Sequence, residues 1–494
     1  MRQMRWTVSV QREGDVEGLP LATFTRPIDS ATVADFGLSL EEGRHLLKVL
    51  QGAVARSQIH TYDSARRCCR HCGAYRRIKD WRGRVVATSL GEVRVRVPRV
   101  VSCLCTPEPL DDDDLPTDLQ RLSECPIYRL IPGRRTPELS YLCAKHGASH
   151  PYRVAAGIVS EVTGLRRPCH MTVRRDTLRC GQQLEDAQFL AGWYAGQRRR
   201  RSRAQRLRVA IDGTYLTAAP GEEVTKFEVV AGRVERDGGM CRRFACALPR
   251  RSMTRTLVAA ALEQSGWAPQ TEVEVMSDGA KGMRSLVASV APTLSKPMLD
   301  WFHLAMKIHA VRTTLGTCAM TPARRPAFMA LSARAASKIR DLLWRGRTQE
   351  ALELTRALIT SLSAEVPKLP PLYSSAAETA RGAATRLLAY VRENRADIVD
   401  YNRARRSGRR ISTAAAESVM NHVINRRMSK GQQMRWSISG AQCLLQTRVA
   451  LLDDRLETHF HARFPHFRSP EVPHAAAVTL PQLASTPRLF VLRH

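Results

Sequence analysis

The sequence predicts an α/β fold with a mixed β-sheet, a large all-helical insertion, and accessory modules that precede the sheet. Three strand-like segments over 207–248 are followed by alternating helices and strands up to a helix that begins at Trp301. From about 319 to 410 the apolar residues recur only at helical spacing, and a helix over 412–428 returns to the α/β unit. Consecutive strands followed by strand–helix alternation indicate a sheet with antiparallel and parallel pairs.

The individual elements follow from hydrophobic periodicity. The first three strands are predicted at 207–216, 225–234 and 242–248, and they are followed by a helix over 254–264. A strand over 272–276 and a short strand over 297–299 complete the predicted sheet. The helical insertion rests on two runs at helical spacing that Gly346 separates: Phe328, Leu331, Ala335, Ile339 and Leu342, then Ala351, Leu354, Leu358 and Leu362.

The remaining chain divides by composition. Leu90–Val101 alternates apolar and polar residues and is predicted to be a strand between two cysteine clusters. Gly164 can end one helix and Thr172 can begin a second, basic one, which suits a helix-turn-helix or a plain helical bundle. The predicted segments are an N-terminal helical segment (1–65, with a helix over 40–52), a zinc-ribbon-like module (66–115), a helix-turn-helix-like segment (130–190), the sheet's first part (205–318), the insertion (319–410), the final helices (411–455) and a tail (456–494).

Charge is the most unusual property of the composition. Lys and Arg number 77 against 46 Asp and Glu, which gives a net charge of +31. Such an excess indicates a polyanionic partner. No run of 18 apolar residues and no apolar N-terminal segment occur, so we expect neither a membrane span nor a secretory signal. Five of the 13 cysteines lie between Cys68 and Cys105, which favours a metal site in a reducing cytoplasm over a disulfide scaffold.

The cysteine spacing predicts one structural Zn²⁺. Cys69-x-x-Cys72 and Cys103-x-Cys105 supply four thiolates from two knuckles joined by strands. Cys68 and His71 are competing ligands nearby, and buried thiols are the alternative interpretation. Four protein ligands leave no open position for catalysis, so this site would be structural.

Carboxylates that follow predicted strands indicate a second site. Asp212 and Asp278 each end an apolar strand and precede a glycine, where a turn residue or a helix N-cap is the alternative role. Glu417 and Asn421 are spaced i and i+4 on one predicted helix. Two or three such carboxylates can hold a pair of Mg²⁺ or Mn²⁺ ions for phosphodiester chemistry. Asp300 and His303 are predicted to support this site, with Trp301 and Phe302 in the core.

Basic segments are candidates for DNA contact. Seven arginines lie between Arg198 and Arg208, either in a solvated linker or in an arm that contacts phosphates. The segment Arg426–Trp436 mixes cations, amides and an aromatic ring, which suits contact with phosphates and unpaired bases, or a basic helix end. The predicted DNA-binding residues are Arg174, Arg175, Arg199, Arg200, Arg201, Arg427, Lys430, Arg435 and Trp436.

Several motifs together resemble the DDE transposases of bacterial insertion sequences, specifically the ISKra-type group. They are Ile211-Asp212-Gly213, Ser277-Asp278-Gly279-Ala280, Leu299-Asp300-Trp301-Phe302-His303, Glu417-Ser418-x-x-Asn421, Lys430-Gly431-Gln432-Gln433-Met434-Arg435-Trp436-Ser437, and Cys69-x-x-Cys72-Gly73 followed by Gly91–Arg99. The resemblance spans about 66–450. It implies an RNase H-like catalytic core in which Asp212, Asp278 and Glu417 form the triad. It also implies that Asp300-x-x-His303 is the signature of members with a helical insertion before the glutamate.

The resemblance implies a metal-dependent transposase of the cytoplasm, associated with the nucleoid. Its partners would be the terminal inverted repeats of the element and target DNA, with a homo-oligomer joining two ends. The alternatives are a catalytically silent DNA-binding regulator derived from a transposase, and a related nuclease without strand transfer. An RNA-binding zinc protein would explain the charge but not the three acidic residues.

Overall fold

The computed structural model describes most of the chain. The described residues are 2–29, 32–69, 72–101, 105, 123–165, 168–193, 204–236, 239, 241–248, 251–279, 281–291, 295–317, 325–368, 371–412, 418–429 and 434–468. They form a mixed α/β structure that divides into two compact units. One unit comprises Met1–Leu142, Val159–Arg166 and Leu456–His494, and the other comprises Cys143–Ile158 and Arg167–Arg455. None of the helices in these ranges is long and apolar enough to cross a membrane.

The first unit begins with a β-hairpin that the sequence analysis missed. Strands β1 (Gln3–Val10) and β2 (Leu19–Pro27) pair antiparallel, and helix α1 (Leu40–Arg66) follows. The apolar residues at alternate positions of β1, from Met4 to Val10, carried the signal for a strand. Helix α1 is also longer than predicted. It begins at a capping box, in which Ser39 accepts from the Glu42 N–H and Glu42 accepts from the Ser39 N–H.

A three-stranded antiparallel sheet follows in the same unit. It consists of β3 (Ile78–Thr88), β4 (Gly91–Val101) and β5 (Ser123–Glu124), in that order. Strand β4 confirms the predicted alternation, because its valines at 93, 95 and 97 are buried while Arg94 and Arg96 are exposed. The valines pack against Ile59 of α1. The short helix α2 (Ile127–Leu130) follows this sheet, and Leu456–Arg463 is helical in the predicted tail.

Three helices occupy the predicted helix-turn-helix segment: α3 (Pro137–Ser149), α4 (Tyr152–Thr163) and α5 (His170–Trp193). Gly164 directly follows α4 with φ of 66°, which fits the predicted glycine terminus. Helix α5 begins at His170, two residues before the predicted cap at Thr172. Whether these helices act as a helix-turn-helix stays a prediction.

The second unit contains a five-stranded mixed sheet. Its strands are β6 (Arg206–Thr217), β7 (Lys226–Arg236), β8 (Cys241–Ala247), β9 (Glu272–Ser277) and β10 (Ser295–Leu299). Their order across the sheet is β10-β9-β6-β7-β8. The pairs β6–β7 and β7–β8 are antiparallel, whereas β9 runs parallel to both β6 and β10. The predicted strands and their mixed pairing are confirmed.

Helices cover both faces of this sheet. On one face, Val209 and Ile211 of β6 pack with α6 (Arg251–Gln264) and α7 (Lys281–Ala288). On the other face, Ala231 of β7 packs with the helical segment Met420–Ser429 and with the helix Ile438–Leu452. Alternate residues of a strand point to opposite faces, so the two sets of apolar residues interleave along each strand.

The insertion is helical, as predicted. Helix α8 (Trp301–Thr317) leads into α9 (Arg325–Trp344), α10 (Thr348–Glu365), α11 (Pro371–Glu393) and α12 (Tyr401–Arg406). These helices share one apolar core that includes Leu299 at the end of β10. The insertion returns beside its starting point, because the Trp301 N–H donates to the Ile411 carbonyl at 3.0 Å. The buried Tyr401 hydroxyl donates to the Leu299 carbonyl at 2.9 Å.

Part of the segment 412–428, which was predicted to be an α-helix, is a helix of another type. Residues Met420–Ser429 form a π-helix, and helix α13 (Ile438–Leu452) follows. Asn421 lies within this π-helix, and Glu417 lies outside the described residues, so the alignment of Glu417 with Asn421 stays a prediction. Gln442 of α13 is buried and accepts from the Ala247 N–H of β8 at 2.9 Å, which fixes α13 on the sheet.

Candidate active site

Strand register aligns three aspartates across the sheet of the second unit. Ala210 of β6 pairs with Met276 of β9, so Asp212 and Asp278 both lie two residues beyond one paired position. Leu299 of β10 pairs with Ser277, and Asp300 and Asp278 are the next residue of each strand. Asp278 and Asp300 therefore follow β9 and β10, whereas Asp212 lies at the same level within β6 and not at the strand end that the sequence predicted. The three strands are adjacent and mutually parallel, and sheets of this kind form ligand clefts at the carboxyl ends of their strands.

Asp212 lies on one particular face of the sheet. Asp212 pairs with Ala231, whose side chain belongs to the face covered by the π-helix and α13. Its neighbour Ile211 packs on the opposite face. Glu417 lies outside the described residues, so its position stays a prediction. The π-helix that follows Glu417 in the chain covers the face to which Asp212 belongs.

The electrostatics of Asp212 show that these carboxylates interact. Burial raises the pKa of the Asp212 carboxyl, and the charges of Asp278 and Asp300 raise this pKa further. A hydrogen bond from the Gly213 N–H at 2.8 Å and the charge of His303 oppose this increase in pKa. Carboxylates that repel one another in a half-buried site form a favourable environment for a divalent cation.

Asp300 and His303 form a hydrogen-bonded pair beside Asp212. The Asp300 carboxylate is fully buried, and its Oδ2 lies 2.5 Å from Nδ1 of His303. This hydrogen bond raises the pKa of the His303 imidazole, and the charges of Asp300, Asp212 and Asp278 raise the pKa further. The other Asp300 oxygen accepts from the Phe302 N–H at 2.8 Å. Asp300 therefore both caps α8 and orients a protonatable ring next to Asp212.

Of the two aromatic residues between Asp300 and His303, Trp301 packs in the core as predicted and Phe302 does not. Within the insertion core, the ring of Trp301 packs edge-on against the ring of Trp344, with 4.7 Å between their centroids. Its centroid lies 4.9 Å from that of the tilted Tyr401 ring. Phe302, in contrast, is exposed. Helical geometry explains the difference, because adjacent residues of α8 point about 100° apart.

Residues of the insertion hold the Asp278 loop in place, and the sequence analysis did not identify them. The Tyr390 hydroxyl of α11 donates to the Asp278 carbonyl at 2.5 Å. Arg284 donates to the Gly279 carbonyl at 3.3 Å and to Oδ1 of the buried Asn394 at 3.1 Å. Gly279 has φ of 98°, and a β-carbon there would lie 2.7 Å from the Asn394 oxygen. The contacts of Tyr390 with Asp278 and of Arg284 with Asn394 join residues more than 100 positions apart, so no local pattern could reveal them.

The cysteine cluster lies in the first unit. The sulfur atoms of Cys69, Cys72 and Cys105 all lie within 4.8 Å of one another, and Cys69 and Cys105 are 3.3 Å apart. A turn shapes the first knuckle, since the Gly73 N–H donates to the Cys69 carbonyl at 2.9 Å and Gly73 has φ of 72°. Three thiols at this spacing could hold a metal ion, which is compatible with zinc. Cys103, the predicted fourth ligand, lies outside the described residues.

Over the described part of the chain, this cysteine cluster is the only group of three His, Cys, Asp or Glu side chains with such close ligand atoms. At the acidic site, no three ligand atoms of the described residues lie within 4.8 Å of one another. Asn421 is half-buried in the π-helix.

The predicted DNA-binding residues other than Arg174 separate into three groups. Arg199, Arg200, Arg201 and Lys430 lie outside the described residues. Arg175 and Arg435 are exposed, so they remain available for the predicted contact. Arg427 and Trp436 are buried, at 3% and 8% exposure, and the Trp436 indole N–H donates to the Met428 carbonyl at 3.1 Å. Trp436 also extends the sheet through a bridge to Ala218, which explains its burial and argues against the predicted stacking on a base.

Arg174 is half-buried and lies near these residues. It lines one cavity together with Arg427, Arg435 and Trp436, within the second unit. Segments that are far apart in sequence thus bring three predicted DNA-binding arginines together.

No family model matches this sequence, and no curated protein matches it at a significant level.

Proposed function

We propose that the protein is a metal-dependent DDE transposase that cleaves DNA at the ends of an insertion sequence and joins those ends to target DNA. The observation that carries the proposal is the alignment of Asp212, Asp278 and Asp300 at one level of three adjacent parallel strands, with electrostatic coupling at Asp212. Nucleic acid is the substrate class that the net charge of +31 favours.

The topology of the sheet supports an RNase H-like core. In chain order, the sheet has three antiparallel strands, and the fourth and fifth strands are added in parallel beside the first. This is the architecture that the resemblance to DDE transposases implies, and the helical insertion enters it after β10. The acidic site lies at the carboxyl ends of β9 and β10, where a ligand has access.

The donor set fits a hard divalent cation. Asp212 and Asp278, with Glu417 as the third acid, would hold Mg²⁺ or Mn²⁺, which prefer carboxylate oxygens. Two such ions activate the attacking oxygen and stabilise the leaving oxygen of a phosphodiester. His303, oriented by Asp300 at 2.5 Å, can hold or transfer a proton beside Asp212.

The reaction would take place in two steps. Water first attacks the phosphodiester at the element's end, which breaks one P–O bond and frees a 3′-hydroxyl group. That hydroxyl then attacks a phosphodiester of target DNA, so one P–O bond forms as another breaks. Neither step needs an oxidant or a reductant.

The other modules have roles in binding under this proposal. The cysteine module would hold one structural Zn²⁺, and this module and the basic helix α5 would bind the terminal inverted repeats. A homo-oligomer would bring two ends together. We place this activity in the cytoplasm, at the nucleoid.

The experiment that tests the function uses the DNA that flanks the coding sequence on both sides. The purified protein is incubated with this DNA, a target plasmid and Mg²⁺, and the 3′ ends and joined products are mapped by sequencing. Cleavage at paired inverted repeats with joined products supports a transposase. Cleavage without joining indicates the related nuclease, and specific binding without cleavage indicates the silent regulator.

A further inference from the structure

A basic cavity lies on the second unit, between the start of α4, helix α5 and the start of α13. Its volume is about 390 Å³, within the range of ligand sites. Three cationic and two aromatic side chains line it: Arg174, Arg427, Arg435, Tyr152 and Trp436. Burial raises the pKa of the Tyr152 hydroxyl, and the charges of Arg427 and Arg174 partly oppose this increase. Both cations therefore lie close enough to Tyr152 to interact with it.

Arg427 is a buried cation without a carboxylate partner among the described residues. Its side chain is almost fully enclosed, with 3% exposure. Its Nε donates to the Gly147 carbonyl at 3.3 Å, and Nη1 lies 3.6 Å from the Met434 sulfur. Nη2 and the Tyr152 hydroxyl have no hydrogen-bond partner in the described part of the chain. A buried charge without a counterion is costly, so this arrangement favours an anion.

A second buried arginine increases the local positive charge. Within the described part of the chain, Arg448 of α13 donates to backbone carbonyls alone, those of Val423, Ala148 and His422. Burial lowers the pKa of Arg448 to about 10, and the charge of Arg427 contributes to that decrease. Arg455, half-buried just beyond the end of α13, shows the contrast, because Asp453 lies 3.7 Å from its guanidinium group.

The N-terminus of α13 adds to the positive potential of the cavity. Ser437 caps this helix by accepting from the Gly440 N–H at 3.2 Å, and both residues line the cavity. The partial positive charge of a helix N-terminus attracts anions. Glu222 is the carboxylate that reaches this end, where it accepts from the Ile438 N–H at 3.3 Å. Glu222 is not among the residues that line the cavity.

We propose that this cavity binds a phosphate group of a DNA strand, with Arg427 as the buried anchor and Arg174 and Arg435 at the opening. The choice of DNA as the source of the phosphate rests on the proposed function. None of the acidic residues of the cleft lines this cavity. It would therefore hold DNA without taking part in the chemistry.

The test measures the affinity of the full-length protein for a fluorescent oligonucleotide by anisotropy, in the absence of added divalent metal, over a series of salt concentrations. Arg427→Met removes the buried charge and keeps much of the volume, and Arg427→Lys restores the charge. Because Arg427 is buried, a double variant, Arg174→Gln with Arg435→Gln, provides a second test at more exposed positions. Arg356→Gln on the exposed face of α10 is the matched control for loss of one charge.

We expect Arg427→Met and the double variant to bind the oligonucleotide about tenfold more weakly or worse, with Arg427→Lys intermediate. The dependence of log affinity on log salt should fall by about one for each phosphate contact that is lost. Equal affinities for these variants and Arg356→Gln would overturn the proposal. So would a result in which inorganic phosphate raises the melting temperature of the parent alone while oligonucleotide affinity is unchanged, since the source would then be free phosphate.

The outcome of this binding test can be distinguished from the outcome of the test of the proposed function. Asp278→Asn should lose cleavage and keep oligonucleotide affinity, and the cavity variants should lose affinity. If Asp278→Asn cleaves like the parent while the cavity variants bind weakly, the transposase proposal fails and the phosphate site remains.

Discussion

Asp212 and Asp278 lie at the same level of two parallel strands, each two residues beyond the pair formed by Ala210 and Met276. They come from β6 and from the loop after β9, which are separated in the chain by two strands and a helix. Their charges interact, because Asp278 raises the pKa of Asp212. This relationship underlies the metal site that we propose.

Divalent metal should stabilise the protein in a pH-dependent way. Burial and repulsion raise the pKa of Asp212, so its carboxylate costs stability as the pH rises through its folded pKa. Mg²⁺ offsets that repulsion, and protons compete with it. We therefore expect Mg²⁺ to raise the melting temperature at neutral and alkaline pH, with a smaller increase as the pH falls. Calorimetry with and without Mg²⁺ measures this.

Asp212→Asn is the matching variant. Asparagine keeps an oxygen for the Gly213 N–H and removes the charge. Without metal this variant should melt at a higher temperature than the parent at neutral pH, and it should lose the response to Mg²⁺. A parent protein that shows no response to Mg²⁺, or a variant that keeps the full response, would contradict the site.

The Tyr390 hydroxyl should matter for cleavage more than for DNA binding. It donates to the Asp278 carbonyl, and burial together with the charges of Asp278 and Asp300 raises its pKa, so it stays a donor. Tyr390→Phe removes one hydrogen bond, which costs about 0.5–1.5 kcal/mol of net stability. We expect a cleavage rate reduced by about tenfold and an unchanged dissociation constant for DNA. Thr379→Val, which removes an exposed hydroxyl earlier in α11, is the control and should leave both values unchanged.

The zinc content of the protein should depend on the cysteine cluster and not on the adjacent Cys68. Cys105→Ser removes one of three sulfurs that lie within 4.8 Å of one another, and Cys103→Ser removes the predicted fourth ligand. Each variant should lose zinc, measured by elemental analysis, and melt at a lower temperature. Cys68→Ser is the control, since Cys68 is exposed and outside the cluster. Full zinc content in Cys105→Ser would remove this assignment.

The contact between α5 and α13 leaves no room for a side chain at Gly181. A β-carbon there would clash with the backbone carbonyl group of Cys443. Gly181→Ala should destabilise the second unit by about 1–3 kcal/mol or more through overpacking. Gly157→Ala in α4 is the matched control, because nothing lies within 4 Å of its β-carbon position and alanine favours a helix. Chemical denaturation of both variants measures the difference, and equal stabilities would show that the helices can separate at little cost.

Local patterns predicted much of the fold. The strands β6 to β10, the insertion helices and β4 follow from periodicity, because alternation and helical spacing reflect which side chains are buried. The π-helix could not be predicted, since its wider turn depends on how Met420–Ser429 packs on the sheet. The β1–β2 hairpin was missed although its alternation was visible in the sequence.

The candidate site was predictable only in its charged residues. Asp278 and Asp300 follow strands and Asp212 lies within an apolar strand, and that context is local. The residues that support them, Tyr390, Arg284 and Asn394, act through contacts between distant segments. For Arg427 and Trp436 the local sequence predicted exposed side chains that contact DNA. The folded chain buries both of them.

The most direct test of the central claim is metal-dependent nicking, by Asp278→Asn, of a supercoiled plasmid that carries the DNA flanking the coding sequence. Asparagine keeps the shape of the side chain and removes the charge that would hold the metal. We expect nicking with Mg²⁺ or Mn²⁺ to fall by several orders of magnitude while DNA affinity stays near that of the parent. Asp341→Asn, on the exposed face of α9, should nick like the parent. Nicking by Asp278→Asn at the parental rate would contradict the account.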